Sequence, residues 1–239
     1  MTGMLITPYQ DFAREKLGFE YNNIQLLIDA LTHRSYVNEH KKSTNVHNER
    51  LEFLGDAVLE LAVTDFLYSN YDEPEGILTS WRASLVRTES IADAGSKLGY
   101  EPLLRMSRGE KRGSERARQQ VLANAFEAVI GSIYLEKGYE EAEKFILKHI
   151  ATKLEAILSE GSWRDPKSHL QEMSQRIDGS TPVYKVMSEE GPDHEKIFTL
   201  GAYVNNTLMG KGVGPSKQYA QQQAARAALE AYEKRTSVE

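Results

Sequence analysis

The hydrophobic pattern of this chain changes once, near Leu158, and this change constrains the fold more than any other feature of the sequence. Before it, apolar residues such as Leu51 and Leu54 recur at helical spacing. After it, apolar residues alternate with polar or small ones from Val183 and again from Phe198, which is typical of strands. We therefore predict an all-α domain followed by a smaller α+β domain.

A short polar segment separates the two patterns. It holds serine, glutamate and glycine, which suit a linker. We predict a helical domain over residues 1–158, a linker over 159–164 and a second domain over 165–235, with the order α-β-β-β-α. Asn205-Asn206 predicts a hairpin turn, because asparagine tolerates positive φ. The third strand is predicted over Thr207–Lys211, before a final alanine-rich helix.

Composition excludes several classes of protein. Hydrophobic residues make up 40% of the 239 residues, enough for packed cores. There is no cysteine, which excludes disulfides, a cysteine nucleophile and thiolate metal sites. No stretch approaches the roughly 20 apolar residues of a membrane span, and the N-terminus does not resemble a signal peptide, so we expect a cytoplasmic protein. The net charge of −6 argues, taken alone, against a nucleic-acid partner.

The segment from Asn48 to Ala57 carries acids on one helical face. Glu52 and Asp56 lie one turn apart, and Glu49 lies about one turn before Glu52. Gly55 stands between the paired acids, although glycine within a helix costs about 1 kcal/mol relative to alanine. This pattern indicates close approach of another backbone or a ligand. The alternative is a surface helix whose acids face water.

A second predicted helix carries Asn124 and Glu127 on one face. Glu127 is the only acid between Glu115 and Glu136, and its neighbours are apolar or small. A charge in such surroundings needs a partner or a metal. A glutamate satisfied by hydrogen bonds is the alternative. The available ligands are all oxygen atoms and suit Mg²⁺ or Mn²⁺; they belong to Glu52, Asp56, Asn124 and Glu127.

The segment from Arg105 to Arg118 is locally basic. It holds six arginines or lysines against two glutamates, and Gly109 and Gly113 favour a mobile loop. Such a loop can simply be solvated. Next to a cation site, however, it has the charge that phosphodiester chemistry needs to hold a polyanion.

These residues resemble a known family. The run Asn48–Ala57, with Thr32–Tyr36 upstream and Phe126–Ala128 downstream, resembles the catalytic domain of ribonuclease III. The α-β-β-β-α region resembles the double-stranded-RNA-binding domain that follows it in the bacterial enzymes. The resemblance covers about residues 8–234.

The resemblance implies an endonuclease that depends on Mg²⁺, with Mn²⁺ as a possible substitute. Members of the family hydrolyse both strands of double-stranded RNA, act as homodimers and leave 5′-phosphate and 3′-hydroxyl ends. Their substrates include ribosomal RNA precursors and some messenger and transfer RNAs. No membrane partner is implied.

Site residues follow from the matching positions. Glu52, Asn124 and Glu127 are implied as metal ligands, and Asp56 and Glu127 as catalytic residues; Glu49 and Glu75 match acidic positions near the cleft. The family usually has aspartate where this chain has Asn124. Asparagine keeps an oxygen but lacks the charge, so metal affinity should fall. The alternative function is therefore a double-stranded-RNA-binding protein with weak or no cleavage.

Four residues of the second domain match RNA-contacting positions: Gln171, His194, Ser216 and Lys217. Gln171 lies on the first helix of the domain, and His194 lies in a loop that would enter a minor groove. Ser216 and Lys217 open the last helix, whose N-terminus favours a phosphate. The family often has several lysines here, whereas this chain has Lys217 alone, so phosphate binding is expected to be weaker.

Overall fold

The protein consists of two compact units, Met1–Trp163 and Arg164–Glu239. The structure, a computed structural model, describes residues 6–41, 45–192 and 195–236. The first unit is helical, and the second combines two helices with one antiparallel sheet. The fold class predicted from the sequence is confirmed.

The first unit contains nine α-helices within the described ranges. They are α1 (Thr7–Phe12), α2 (Ile24–Ala30), α3 (Arg34–Glu39), α4 (Glu49–Asn70), α5 (Glu75–Val86), α6 (Thr88–Leu98), α7 (Glu115–Lys137), α8 (Tyr139–His149) and α9 (Leu154–Ser159). A π-helical turn, Ala13–Leu17, follows α1, and short 3₁₀ turns span Glu110–Arg112 and Ala151–Lys153.

Helix α7 runs through the centre of this unit. It begins where the Ser114 hydroxyl accepts a hydrogen bond from the Ala117 N–H, and it ends at Gly138, whose φ is +88°. Phe126, Ile130 and most other side chains of its second half are fully buried. Glu127, which is half-buried, is the one acid between the buried residues Val121 and Ile133. The helix thus supplies both the core and a polar group within it.

Helices α4 and α7 cross in direct backbone contact. A Cβ atom on Gly55 would overlap the carbonyl oxygen of Glu127, and one on Gly131 would overlap the carbonyl oxygen of Leu51. Both positions therefore require glycine. The close approach of another backbone that Gly55 predicted is found, and the second helix is the one that carries Glu127.

The second unit follows the predicted order. It contains α10 (Pro166–Asp178), β1 (Val183–Glu190), β2 (Ile197–Val204), β3 (Thr207–Gly214) and α11 (Lys217–Thr236), with the strands antiparallel in the order β1-β2-β3. Asp165 caps α10 by accepting a hydrogen bond from the Ser168 N–H at 2.9 Å. Asn205 and Asn206 form the hairpin turn with φ of 50° and 62°.

Strand β3 is longer than predicted, because the glycines that follow Lys211 continue the strand. Gly212 pairs with Leu200 of β2, and a Cβ on Gly212 would overlap the Ala220 carbonyl oxygen of α11. These glycines let the helix lie directly on the sheet. The core beneath is small and holds Leu170, Ala202, Val204, Ala224, Ala225, Ala228 and Tyr232.

The segment predicted as a linker is partly packed. Trp163 meets the ring of Trp81 edge-on at a centroid distance of 5.9 Å and belongs to the first unit. The division between the units falls directly after it. In the part of the chain that the structure describes, no helix is long and apolar enough to span a membrane.

The helix crossing predicts that two glycine substitutions differ in their effect on stability. Gly55→Ala should lower the free energy of unfolding by roughly 3 kcal/mol, because the added methyl group forces the backbones of α4 and α7 apart. Gly76→Ala in α5 is the matched control, since a Cβ there meets nothing within 4 Å. It should be neutral or stabilise by up to about 1 kcal/mol. Urea unfolding followed by circular dichroism measures both, and equal effects would contradict the crossing.

Candidate functional site

The crossing of α4 and α7 brings four predicted site residues together. Glu52 and Asp56 lie on α4, one turn apart, on either side of the Gly55 contact. Asn124 and Glu127 lie on α7, one turn apart, at the same contact. We call these four side chains the acid cluster. Asp56 is exposed and the other three are half-buried, so the cluster lies at the surface end of a buried crossing.

Glu52 has few partners for its charge. Its Oε2 atom is buried and has no hydrogen-bond partner among the described residues. Burial, followed by the negative charge of Glu49, raises the pKa of Glu52, whereas a hydrogen bond from the Asn124 side chain opposes that rise. A buried carboxylate oxygen without a donor is costly unless another group, such as a cation, satisfies it.

Glu127 is the most strongly perturbed acid of the cluster. Burial raises its pKa to about 8, and the charges of Asp56, Glu52 and Glu60 add to that effect in this order. The apolar neighbours of Glu127 in the sequence predict that it is not simply solvated, and its half-buried place among other carboxylates agrees with that. The neighbouring carboxylates repel one another because the cluster itself contains no positive charge to compensate them.

Asn124 lies between Gln120 and Glu52. Its Oδ1 accepts a hydrogen bond from Gln120 Nε2 at 2.7 Å, so its NH₂ group is the end left to face Glu52, where the Asn124 side chain lowers the pKa of the carboxyl group. Sequence reasoning did not single out Gln120. The signal was nevertheless present, because two amide side chains four residues apart on a helix lie next to each other.

The carboxylates of the acid cluster suit a hard divalent cation, but the Asn124 amide turns its oxygen toward Gln120 and away from them. All candidate ligand atoms are oxygens, which Mg²⁺ and Mn²⁺ prefer. Within residues 6–41, 45–192 and 195–236, however, no three acidic or histidine side chains already converge as a complete metal cage. Asn124 turns its NH₂ group toward Glu52, whereas an aspartate at this position would add a further carboxylate.

The two predicted cleft acids occupy different places. Glu49 is next to the cluster on α4 and forms an ion pair with Arg34 at 3.2 Å. Glu75 begins α5 and lines a separate open cleft of about 790 Å³, together with Asp72 and Arg82. None of the four cluster residues lines that cleft.

The basic segment is less uniform than the sequence indicated. The Arg105 guanidinium lies over the ring of Tyr36 at 4.2 Å and donates to the Thr32 hydroxyl at 3.3 Å, so Arg105 stabilises the fold. The remaining basic side chains are exposed; they are Arg108, Lys111, Arg112, Arg116 and Arg118. The last two already belong to α7.

In the second unit, two of the predicted RNA-binding residues have partners. The Ser216 hydroxyl accepts from the Tyr219 N–H at 3.2 Å, and Lys217 Nζ lies 2.7 Å from a carboxylate oxygen of Glu189. Gln171 is exposed on α10. His194 lies outside the described residues.

One face of α4 exposes large apolar side chains. Phe53, Leu61 and Tyr68 are 82%, 57% and 79% exposed. Their spacing places them within one side of the helix; we call this the α4 apolar face. Helical spacing identifies an apolar stripe but not what covers it, so the exposure of this face is visible only in the structure. Exposed apolar clusters of this kind mark interaction surfaces.

The raised pKa of Glu127 predicts a pH dependence of stability in metal-free protein. The folded state holds a proton on Glu127 that the unfolded state has released at its lower pKa. The free energy of unfolding should therefore fall as pH rises from about 5 to about 8. Glu127→Gln should remove most of this fall, and Glu75→Gln, an exposed control, should not. Urea unfolding in EDTA across this range checks the effect; an unchanged slope in Glu127→Gln would contradict it.

Comparison with known proteins agrees with the two units. The family model of ribonuclease-III-like domains matches residues 23–154, and that of the double-stranded RNA binding motif matches residues 166–232. Ribonuclease 3 of Desulforamulus reducens is 44% identical over 91% of this chain and 89% of its own length. That of Carboxydothermus hydrogenoformans is 43% identical over 90% and 92%.

A solved structure gives the same result for the first unit. The nuclease domain of ribonuclease III from Campylobacter jejuni is 36% identical, with a TM-score of 0.54, over 59% of this chain and 96% of that one. The sequence matches, the helical fold with its acid cluster and the appended RNA-binding fold agree with one another. The chain belongs to the ribonuclease III family of double-stranded-RNA-specific endoribonucleases.

Proposed function

We propose that the protein hydrolyses phosphodiester bonds in double-stranded RNA with Mg²⁺, or Mn²⁺ in its place, and leaves 5′-phosphate and 3′-hydroxyl ends. The observation that carries this proposal is the acid cluster at the α4–α7 crossing. Its carboxylates raise one another's proton affinity, and a buried Glu52 oxygen has no donor among the residues that the structure describes. A divalent cation offsets both effects and, when bound, supplies activation of water and stabilisation of charge on the phosphoryl oxygens.

Each member of the cluster has a distinct role in this proposal. Glu52 and Glu127 hold the cation from the two helices, and Asn124 adds an oxygen when its amide is turned toward them. Asp56, the exposed acid, faces solvent and is positioned to orient the attacking water. Glu49, beside the cluster, and Glu75, in the separate cleft, act as outlying acids that RNA approaches. The fixed crossing keeps the ligands from moving relative to each other as RNA binds.

RNA is held mainly outside the acid cluster. The exposed cations between Arg108 and Arg118 offer a local positive surface near the start of α7. In the second unit, we assign minor-groove contacts to Gln171 and His194 and phosphate contacts to Ser216 and Lys217. The local basic charge between Arg108 and Arg118 supports RNA contact by the first unit of this acidic protein, because phosphate contacts act over short distances at physiological salt.

We further propose that the protein is a homodimer joined through the α4 apolar face. Phe53 follows Glu52 directly, so this face adjoins the acid cluster. A second copy would bury three large side chains that are otherwise in water. The solved Campylobacter jejuni nuclease domain is described as having a region involved in dimer formation.

One observation favours an alternative function. Asn124 contributes no charge, but its side chain lowers the pKa of Glu52, so it can substitute for a cation at that carboxylate. On this alternative, the protein binds double-stranded RNA and cleaves it weakly or not at all. For the enzyme, we propose a cytoplasmic role in processing ribosomal RNA precursors and some messenger and transfer RNAs.

Cleavage of duplex RNA separates the two functions. With Mg²⁺, the protein should cut both strands, and Glu127→Gln should slow cutting on the order of 100-fold, because it removes a charged ligand. Asn124→Asp should raise the rate at limiting Mg²⁺ about tenfold by adding ligand charge. End-labelled duplex resolved on a denaturing gel measures the rates, and a gel shift in EDTA measures binding.

Three results are decisive. Cutting by the unchanged protein supports the enzyme. Binding without cutting, restored by Asn124→Asp, supports the alternative function. Failure to bind duplex RNA would sink both.

The dimer proposal predicts that Phe53→Asp yields a monomer, because a charge on the α4 apolar face cannot be buried without a partner. Val183→Asp is the control, since Val183 is 54% exposed and lies in the other unit. Sedimentation equilibrium should report a dimer for the unchanged protein and for the control. A Phe53→Asp variant that remains dimeric would assign the interface to another surface.

A further inference from the structure

Gln120 is a polar residue of α7 to which the proposed function gives no role. It lies one turn before Asn124, is exposed, and donates from Nε2 to Asn124 Oδ1 at 2.7 Å. It therefore contacts a residue of the acid cluster without belonging to the cluster itself.

The side chains of Gln120, Asn124 and Glu52 lie in a row with one polarity. Gln120 donates with its NH₂ to the Asn124 oxygen at 2.7 Å, so the NH₂ of Asn124 is the group left to face Glu52. A carboxylate only accepts, so this orientation suits Glu52 without a cation. Both NH₂ groups of the row are directed toward the acid cluster, opposite to the direction that a cation requires.

A cation at the cluster requires the reverse polarity. Asn124 can offer its oxygen only if the planar amide turns over about its terminal bond. Its NH₂ then faces Gln120, which must accept with Oε1 instead of donating. Glutamine carries both a donor and an acceptor at the end of its side chain, so it can satisfy either orientation. Lysine could serve only the first orientation, and glutamate only the second.

We propose that Gln120 is a positioning residue that sets which end of the Asn124 amide faces the acid cluster. In one orientation Asn124 turns its NH₂ group toward Glu52 and closes the site; in the other it presents an oxygen ligand. The inference rests on the proposed metal-dependent function. It specifies which residue controls the asparagine that stands where the family usually has aspartate.

The test is Mn²⁺ binding by the full-length protein without RNA, followed by the electron paramagnetic resonance signal of free Mn²⁺. Gln120→Glu accepts only, so it should turn the Asn124 oxygen toward the cluster and tighten Mn²⁺ binding about fivefold. Because Gln120 is exposed, the substitution should leave the fold intact. Gln119→Glu adds the same charge one residue away and is the control for simple attraction.

A second comparison isolates orientation from charge. In an Asn124→Asp background the side chain has no donor to turn, so Gln120→Glu should give only the gain seen with Gln119→Glu. Equal gains from Gln120→Glu in both backgrounds would overturn the inference while leaving the metal site standing. Mn²⁺ binding that is absent in every form, or unaffected by Glu127→Gln, would overturn the metal site and this inference with it.

Discussion

The backbone contact at Gly55 and Gly131 is the constraint on which the first unit depends. Two helices approach so closely only where both lack a side chain, and each glycine makes its helix intrinsically less stable than alanine would. The contact places Glu52 and Asp56 beside Glu127, which wider helix spacing would separate. Core packing and site geometry are therefore determined by the same two residues.

The fold holds carboxylates together at an energetic cost. Glu127 and Glu52 have raised pKa values mainly because of burial, and their neighbours repel them further. No described residue of the first unit neutralises the group as a whole, although Arg34 and Arg82 pair with the adjacent Glu49 and Glu60. The arrangement of carboxylates that suits a cation thus destabilises the metal-free fold, and perturbed groups of this kind are common at functional sites.

Patterns that depend on neighbours along one helix could be predicted from the sequence, and those that depend on distant partners could not. Gly55 and Glu127 stood out because each violates a local preference of its helix. Helical spacing alone does not reveal that Leu61 is exposed, because it does not show what covers an apolar stripe. The polarity of the Asn124 amide depends on Glu52 across the crossing, and β3 extends through Gly212 because α11 packs on it. These features need three-dimensional contacts.

The ion pair between Lys217 and Glu189 affects how the second unit can meet a polyanion. A phosphate that reaches Lys217 must exchange places with a carboxylate already 2.7 Å away. The incoming anion replaces another anion instead of meeting a bare cation. Added salt weakens the resident pair as well as the incoming one, since both are exposed. The affinity of the N-terminal end of α11 for phosphate should therefore vary less with ionic strength than it would if Lys217 had no ion pair.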